Sequence, residues 1–138
     1  MIAYLDSSVI LRVVLDAPGR LQEWHLMTRG VVSRLAETEC MRAIDRLRIS
    51  GDLSIESSAL RREVVYSVLD RLDVVELTAA ILRRAGQPMV APLRTLDAIH
   101  LATADLWRET RGEEILFATH DRALGLGARA SGFKVIGS

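Results

Sequence analysis

Four acidic residues stand where short apolar runs give way to helical spacing, or in the opening turns of a helix: Asp6, Glu39, Asp97 and Asp121. Asp6 ends the apolar run 2–5. Glu39 lies near the start of the helix expected after Val31 and Val32. Asp97 falls in the first turn after Thr95, and Asp121 just past the run 115–118. A helix N-terminus favours a carboxylate, so any one of these alone reads as a cap. Four acids at one edge, with no basic residue at matched positions, read differently. Their repulsion in a partly buried cleft raises pKa values or demands a cation. Carboxylate oxygens are the ligands that Mg²⁺ and Mn²⁺ prefer. A site of that kind activates water and neutralises phosphate charge, which is the chemistry of phosphodiester hydrolysis. Ser7 and Thr119 are cap or turn residues first; their hydroxyls could also hold a metal-bound water or a phosphate.

The elements that must position these acids alternate. The run 2–5 reads as a strand buried on both faces, and a serine after Asp6 as the cap of an apolar helix to residue 15. A turn through Pro18 and Gly19 leads to a short helix over 21–29, ended by Gly30, with Leu21, Trp24 and Met27 inward. Strands follow at 31–32, 74–77, 115–118 and 135–136. Helical spacing covers 36–49, then 57 or 58 to 72 with Leu60, Val64, Val65, Val68 and Leu69 inward. Further helices span 78–86, 95–108 and 121–130, the first two capped by Thr78 and Thr95. Strands alternating with helices predict a parallel α/β sheet of five strands. Three of the four acids follow a strand closely, so they should gather at the carboxyl edge, where ligands bind in open α/β sheets.

Each acid has a bland competitor. Glu39 could pair with Arg42 across a solvated helix face, and Glu37 flanks the same apolar stripe on its other side. Spacing alone does not choose between the two. Asp97 could only reinforce a cap. His100, one turn from Asp97, reads as a hydrogen-bonded core residue rather than a ligand or base.

The 138 residues suit one domain, 1–138, and 49% of them are apolar, too many for a disordered chain. The 18 basic and 18 acidic residues cancel, so net charge offers no sign of a nucleic-acid partner. The basic set is 17 Arg and one Lys, a bias compatible with phosphate recognition and equally with genome composition. One cysteine, Cys40, excludes an internal disulfide. No basic leader opens the chain and no stretch nears the ~20 apolar residues of a membrane span, so a cytoplasmic protein without a membrane partner is expected.

Four blocks carry a resemblance. "YLDSSVILRVV" resembles the opening of PIN-domain ribonucleases, and "VVSRLAETECMRAI" their second block, in which an acid precedes Arg and Ala by three and four residues; this selects Glu39 over Glu37. "TLDAIHLATA" is similar to the third block, supplying Asp97, and "FATHDRALGLGARASGFKVI" to the fourth, supplying Asp121. Within that family the chain resembles the small VapC-type toxins of bacterial toxin–antitoxin modules. The resemblance implies a three-layer α/β/α sandwich and an Mg²⁺- or Mn²⁺-dependent endoribonuclease acting on RNA. It also implies inhibition by a cognate antitoxin, and a homodimer. Leu11, Val14, Leu21 and Trp24 add to the last expectation, being apolar beyond what a short sheet needs to cover.

Two other classes compete. A receiver-type phosphate-binding domain needs an acidic pair before its first helix and an Asp after a middle strand; Asp6 has no acidic neighbour, and the third strand offers only Glu76. A PIN-like domain without catalysis, acting as a binding partner, is disfavoured because all four acids are present.

Overall fold

The computed structural model describes residues 1–138. Its centre is β1 (Ile2–Leu5), four residues with no charged side chain, of which Ala3, Tyr4 and Leu5 are fully buried. On one side β1 pairs with β2 (Arg29–Ser33), which pairs with β3 (Asp73–Val75). On the other it pairs with β4 (Leu116–Ala118), which pairs with β5 (Val135–Ile136). All pairings are parallel, and the order is β3-β2-β1-β4-β5. The chain builds outward from β1 to one edge, then returns to build outward to the other. The reversal lies between β1 and β4, and open α/β sheets place their ligands at the carboxyl ends of strands at such a point.

Alternation along the strands divides the core. Ala3, Leu5, Val32 and Ala118 face α1 (Ser7–Val14), α2 (Leu35–Ile49) and α3 (Ile55–Leu69). Tyr4, Val31 and Phe117 face α5 (Thr95–Arg111) and α6 (Arg122–Ala130). The Tyr4 and Phe117 ring centroids are 5.1 Å apart, and those of Phe117 and Phe133 5.6 Å. The short α4 (Ala79–Ala85) lays Ile81 on Ile99 and Ala102 of α5. The result is the expected three-layer α/β/α sandwich on a five-stranded parallel sheet.

Several local expectations shift. Residues 21–29 form no α-helix; a 3-10 turn spans Gln22–Leu26, and β2 already begins at Arg29. Gly30 therefore lies inside a strand. A Cβ there would run into the Leu72 and Leu5 side chains, so close packing, not helix termination, accounts for the glycine. Helix α3 starts earlier than expected because Ser54 is its cap, its Oγ accepting from the Ser57 amide at 3.0 Å. The helix then turns Ser58, Val65, Val68 and Leu69 inward and leaves Leu60 67% exposed. Thr95 is the first residue of α5 rather than its cap, whereas Thr78 does cap α4.

The apolar surplus expected of the first two helices is largely consumed internally. Val14 and Leu21 are buried in the chain's own core, and Leu11 and Trp24 pack against it. The large apolar side chains that do face solvent include Ile49, Ile55, Leu60 and Tyr66, at the end of α2 and along α3. No helix is long and apolar enough to cross a membrane.

Ile44 is fully buried at the meeting of α2 with α1 and α3. Ile44→Ala should cost about 2–5 kcal/mol in a denaturant titration, by lost transfer energy and the cavity left behind. The acids stay in place, so activity per folded molecule should be retained.

Candidate active site

Asp6 is the first residue beyond β1 and is only 4% exposed. Its backbone amide donates to the Ala118 carbonyl at 3.2 Å, extending the β1–β4 ladder by one residue. Its carboxylate serves two purposes. Oδ1 accepts from the Val9 amide at 3.4 Å, so Asp6, not a serine, is the N-cap of α1. Oδ1 also accepts from Ser8 Oγ at 2.6 Å, and Oδ2 from Thr119 Oγ1 at 2.9 Å. Burial nonetheless pushes the Asp6 carboxyl above its ordinary value, and the hydrogen bonds from Ser8, Thr119 and Val9 pull it down only in part.

The two hydroxyls are held in turn. Ser8 Oγ accepts from the His120 amide at 2.9 Å, and Thr119 Oγ1 from the Asp121 amide at 2.9 Å. Asp6 and the loop after β4 are thus laced together by side chains. Ser7 lines the cleft, but the hydroxyl that meets Asp6 belongs to Ser8, which sequence reasoning passed over. The signal was available: a serine two residues after a helix-capping Asp can fold back onto its carboxylate.

The other acids arrive from different elements. Glu39 projects from α2 and is 22% exposed, its Oε1 lying 2.5 Å from His100 Nε2. The competing pairing with Arg42 does not form, because Arg42 reaches Asp45 at 3.0 Å. Glu37 is occupied by Arg34 at 3.5 Å, away from the cleft. Asp97 lies in the first turn of α5 and is partly buried. Desolvation first, then the negative charge of Asp121, and after it those of Asp6 and Glu39, push its carboxyl upward. Asp121 caps α6, Oδ1 accepting from the Leu124 amide at 2.9 Å, and is otherwise exposed. His100 is the hydrogen-bonded core residue that its position suggested, with Nδ1 2.7 Å from the Tyr4 hydroxyl. Glu76, the acid after β3, is bound by Arg34 at 2.6 Å and takes no part.

Asp6, Glu39, Asp97 and Asp121 line one cleft of about 500 Å³. Leu11, Leu35 and Leu96 give it apolar walls, and Arg42 and Arg46 stand at its α2 side. No arginine or lysine pairs with any of the four acids; His100 meets Glu39 by a hydrogen bond. Cys40, beside the cleft floor, is no nucleophile: burial, then the charges of Glu39 and Asp6, push its thiol up to about 12. No three of the Asp, Glu, His or Cys side chains draw together into a finished metal cage. The donor set itself fits a hard divalent cation: several carboxylates, two of them strained toward protonation, with no protein cation to neutralise them. An open arrangement suits Mg²⁺, which keeps several of its own waters.

The carboxyls of Asp6 and Asp97 hold their protons more tightly in the folded chain than in the unfolded one. The sign follows: their contribution favours folding most below the ordinary carboxylate range and is lost as pH rises through the raised native values. Asp97→Asn should therefore melt higher than the native chain at neutral pH without metal. The gain should shrink as pH falls toward about 4, where the unfolded carboxyl also protonates. Adding Mn²⁺ should raise the native Tm more than that of the variant. Differential scanning fluorimetry across pH, with and without Mn²⁺, measures all three.

With this geometry in view, comparison with known proteins is direct. The PIN domain family matches residues 3–126. Ribonuclease VapC47 of Mycobacterium tuberculosis is 31% identical over 137 residues, covering 94% of this chain and 92% of the relative. Ribonuclease VapC46 of the same species is 32% identical over 136 residues, covering 96% and 95%. Among solved structures, a toxin–antitoxin complex from Klebsiella pneumoniae contains a chain that superposes with a TM-score of 0.66 at 16% identity, covering 97% of this chain and 95% of that one, and so shares the fold. The chain belongs to the PIN domain family, alongside its VapC ribonucleases.

Proposed function

We propose that this chain, acting as one PIN domain, is the toxin ribonuclease of a toxin–antitoxin pair. It hydrolyses RNA phosphodiester bonds with Mg²⁺ or Mn²⁺ held by Asp6 and Asp97, and with Glu39 and Asp121 completing the site directly or through water. The observation that carries the reading is the meeting of these four acids in one cleft at the β1–β4 reversal, with no arginine or lysine to neutralise them. The ribonuclease names of its relatives and the toxin–antitoxin complex among its structural neighbours agree with it.

The metal's contribution is to lower the pKa of a bound water and to screen phosphate charge. The chain supplies the rest. Asp6 is fixed at its strand end by Ser8, Thr119 and Val9, so its carboxylate is pre-positioned and pays no ordering entropy when a ligand arrives. Asp97 stands on the first turn of a 17-residue helix, a rigid support. Arg42 and Arg46 at the rim can meet phosphates flanking the scissile bond. Leu11, Leu35 and Leu96 narrow the access of bulk water. No histidine pair is available to activate the RNA 2′-hydroxyl: the one histidine at the cleft has both ring nitrogens engaged. Water attack in line, with the 3′-oxygen leaving, gives 5′-phosphate and 3′-hydroxyl ends.

The cytoplasm, where RNA and a cognate antitoxin are at hand, is the place for such an enzyme. Pairing of two copies belongs to the same reading. The exposed Ile55, Leu60 and Tyr66 on α3, with Ile49 at the end of α2, support it. Light scattering at micromolar concentration should give twice the chain mass.

Asp6→Asn, Glu39→Gln and Asp97→Asn should each cut RNA cleavage below about one per cent of the native rate, the scale expected when a group acting on developing charge is lost. Circular dichroism should show the fold intact. Excess EDTA should abolish activity and Mn²⁺ restore it. An RNA with a 2′-O-methyl group at the cut position should still be cleaved. A 2′,3′-cyclic phosphate among the products of unmodified RNA, or undiminished cleavage in EDTA, would overturn the reading.

A further inference from the structure

His100 is 1% exposed, yet both of its ring nitrogens meet polar atoms. Nδ1 lies 2.7 Å from the Tyr4 hydroxyl and Nε2 2.5 Å from Glu39 Oε1. The three residues come from β1, α5 and α2, one from each layer of the sandwich. The contact therefore ties the layers together at the edge that carries the cleft.

Hydrogen-bond chemistry decides how the protons are arranged. Tyr4 is fully buried. A tyrosine hydroxyl, with an ordinary pKa of about 10, keeps its proton at neutral pH and has one to donate. The Glu39 carboxylate only accepts. A neutral imidazole has one N–H and one lone pair. If Tyr4 donates to Nδ1, the ring proton sits on Nε2 and points at Glu39, and every group is satisfied. In the opposite tautomer Nδ1–H would donate to the tyrosine oxygen, but Nε2 would set a lone pair against a carboxylate oxygen. At a site closed to water, leaving donors and acceptors mismatched in this way costs their full desolvation.

We propose that Tyr4 and His100 are positioning residues for the acidic cleft. The Tyr4 hydroxyl fixes His100 as the Nε2–H tautomer, and that N–H holds Glu39 by Oε1, leaving Oε2 as the oxygen offered to the cleft. Glu39 then acts through a single oxygen, as a monodentate ligand or as the acceptor that orients a water. This deepens the proposed function and rests on its assignment of Glu39.

Three measurements on the full chain test it. The first needs no metal: long-range ¹⁵N–¹H NMR should show His100 as the Nε2–H tautomer, and Tyr4→Phe, which removes one oxygen and keeps the ring, should shift it toward a mixture. The second is Mn²⁺ titration by calorimetry. His100→Leu should weaken binding about 10–100-fold, the usual cost of losing a group that orients a ligand. His100→Gln, whose amide N–H can stand near the position of Nε2, should recover most of it. The third is kinetics: Tyr4→Phe should lower kcat with little change in KM for RNA. A native His100 that carries its proton on Nδ1, or on both nitrogens, overturns the proposal. So does native Mn²⁺ affinity in His100→Leu while Glu39→Gln has lost it. Should His100→Leu fail to fold, Tyr4→Phe decides: an unaltered tautomer and unaltered kcat overturn the proposal as well. If Glu39→Gln itself keeps native Mn²⁺ affinity and cleavage, the assignment of Glu39 fails and takes the proposal with it, whatever the tautomer.

Discussion

A carboxylate almost wholly withdrawn from water at the end of the central strand sets conditions that the surrounding structure has to meet. Asp6 cannot move outward, because its amide continues the ladder to β4 and its side chain starts α1. It cannot be neutralised by a neighbouring cation, because none pairs with it. It is instead surrounded by neutral donors, Ser8, Thr119 and the Val9 amide, each locked by a second bond or by the helix itself. Neutral donors offset part of the desolvation and leave the group raised. The β1–β4 register makes the arrangement possible, since Leu5 beside Ala118 puts Asp6 beside Thr119.

The distribution of arginine completes the picture. Outside the cleft, several acids are matched: Arg34 takes Glu76 and Glu37, Arg84 takes Glu109 and Asp105, and Asp45 sits between Arg42 and Arg48. These exposed pairs contribute little stability each. Their effect is that none of those arginines, Arg42 at the cleft rim included, pairs with a cleft acid. A chain with equal numbers of acids and bases thus still gathers four acids without an arginine or lysine partner in one cleft. Net charge could not reveal this, because the quantity that matters is local.

Much of the frame was legible because it rests on local chemistry. The run Ile2–Leu5 has no polar interruption, Thr78 is a cap whose bond closes within three residues, and β5 is bounded by Gly132 and Gly137. Asp6, Asp97 and Asp121 were legible because each stands at or beside an element boundary, whereas Glu39, a turn inside α2, was told from Glu37 only by the family resemblance. What escaped depends on the far side of the fold. Gly30 reads as a helix stop until Leu72 is found above it. Leu60 reads as inward until the phase of α3 is set by its contacts with α1 and α2. The partners of Tyr4 and Glu39 lie 96 and 61 residues along the chain, beyond the reach of any spacing argument.

The strand order also governs when the cleft can exist. β1 is the first strand made and one of its two neighbours is the fourth, so Asp6 and Thr119, whose side chains bond, are 113 residues apart in sequence. Closing so long a loop is among the costliest steps in forming a topology rich in distant contacts. Residues 1–75 hold β1, β2 and β3, but the Asp6 carboxylate has no Thr119 to meet until the chain has been synthesised past β4. Asp97 and Asp121 arrive late as well. A nascent chain on the ribosome, surrounded by RNA, therefore carries at most two of the four cleft acids, and an incomplete strand edge, until Asp97 has been made. The fold postpones the assembly of its own chemistry until the chain has been made past Asp121.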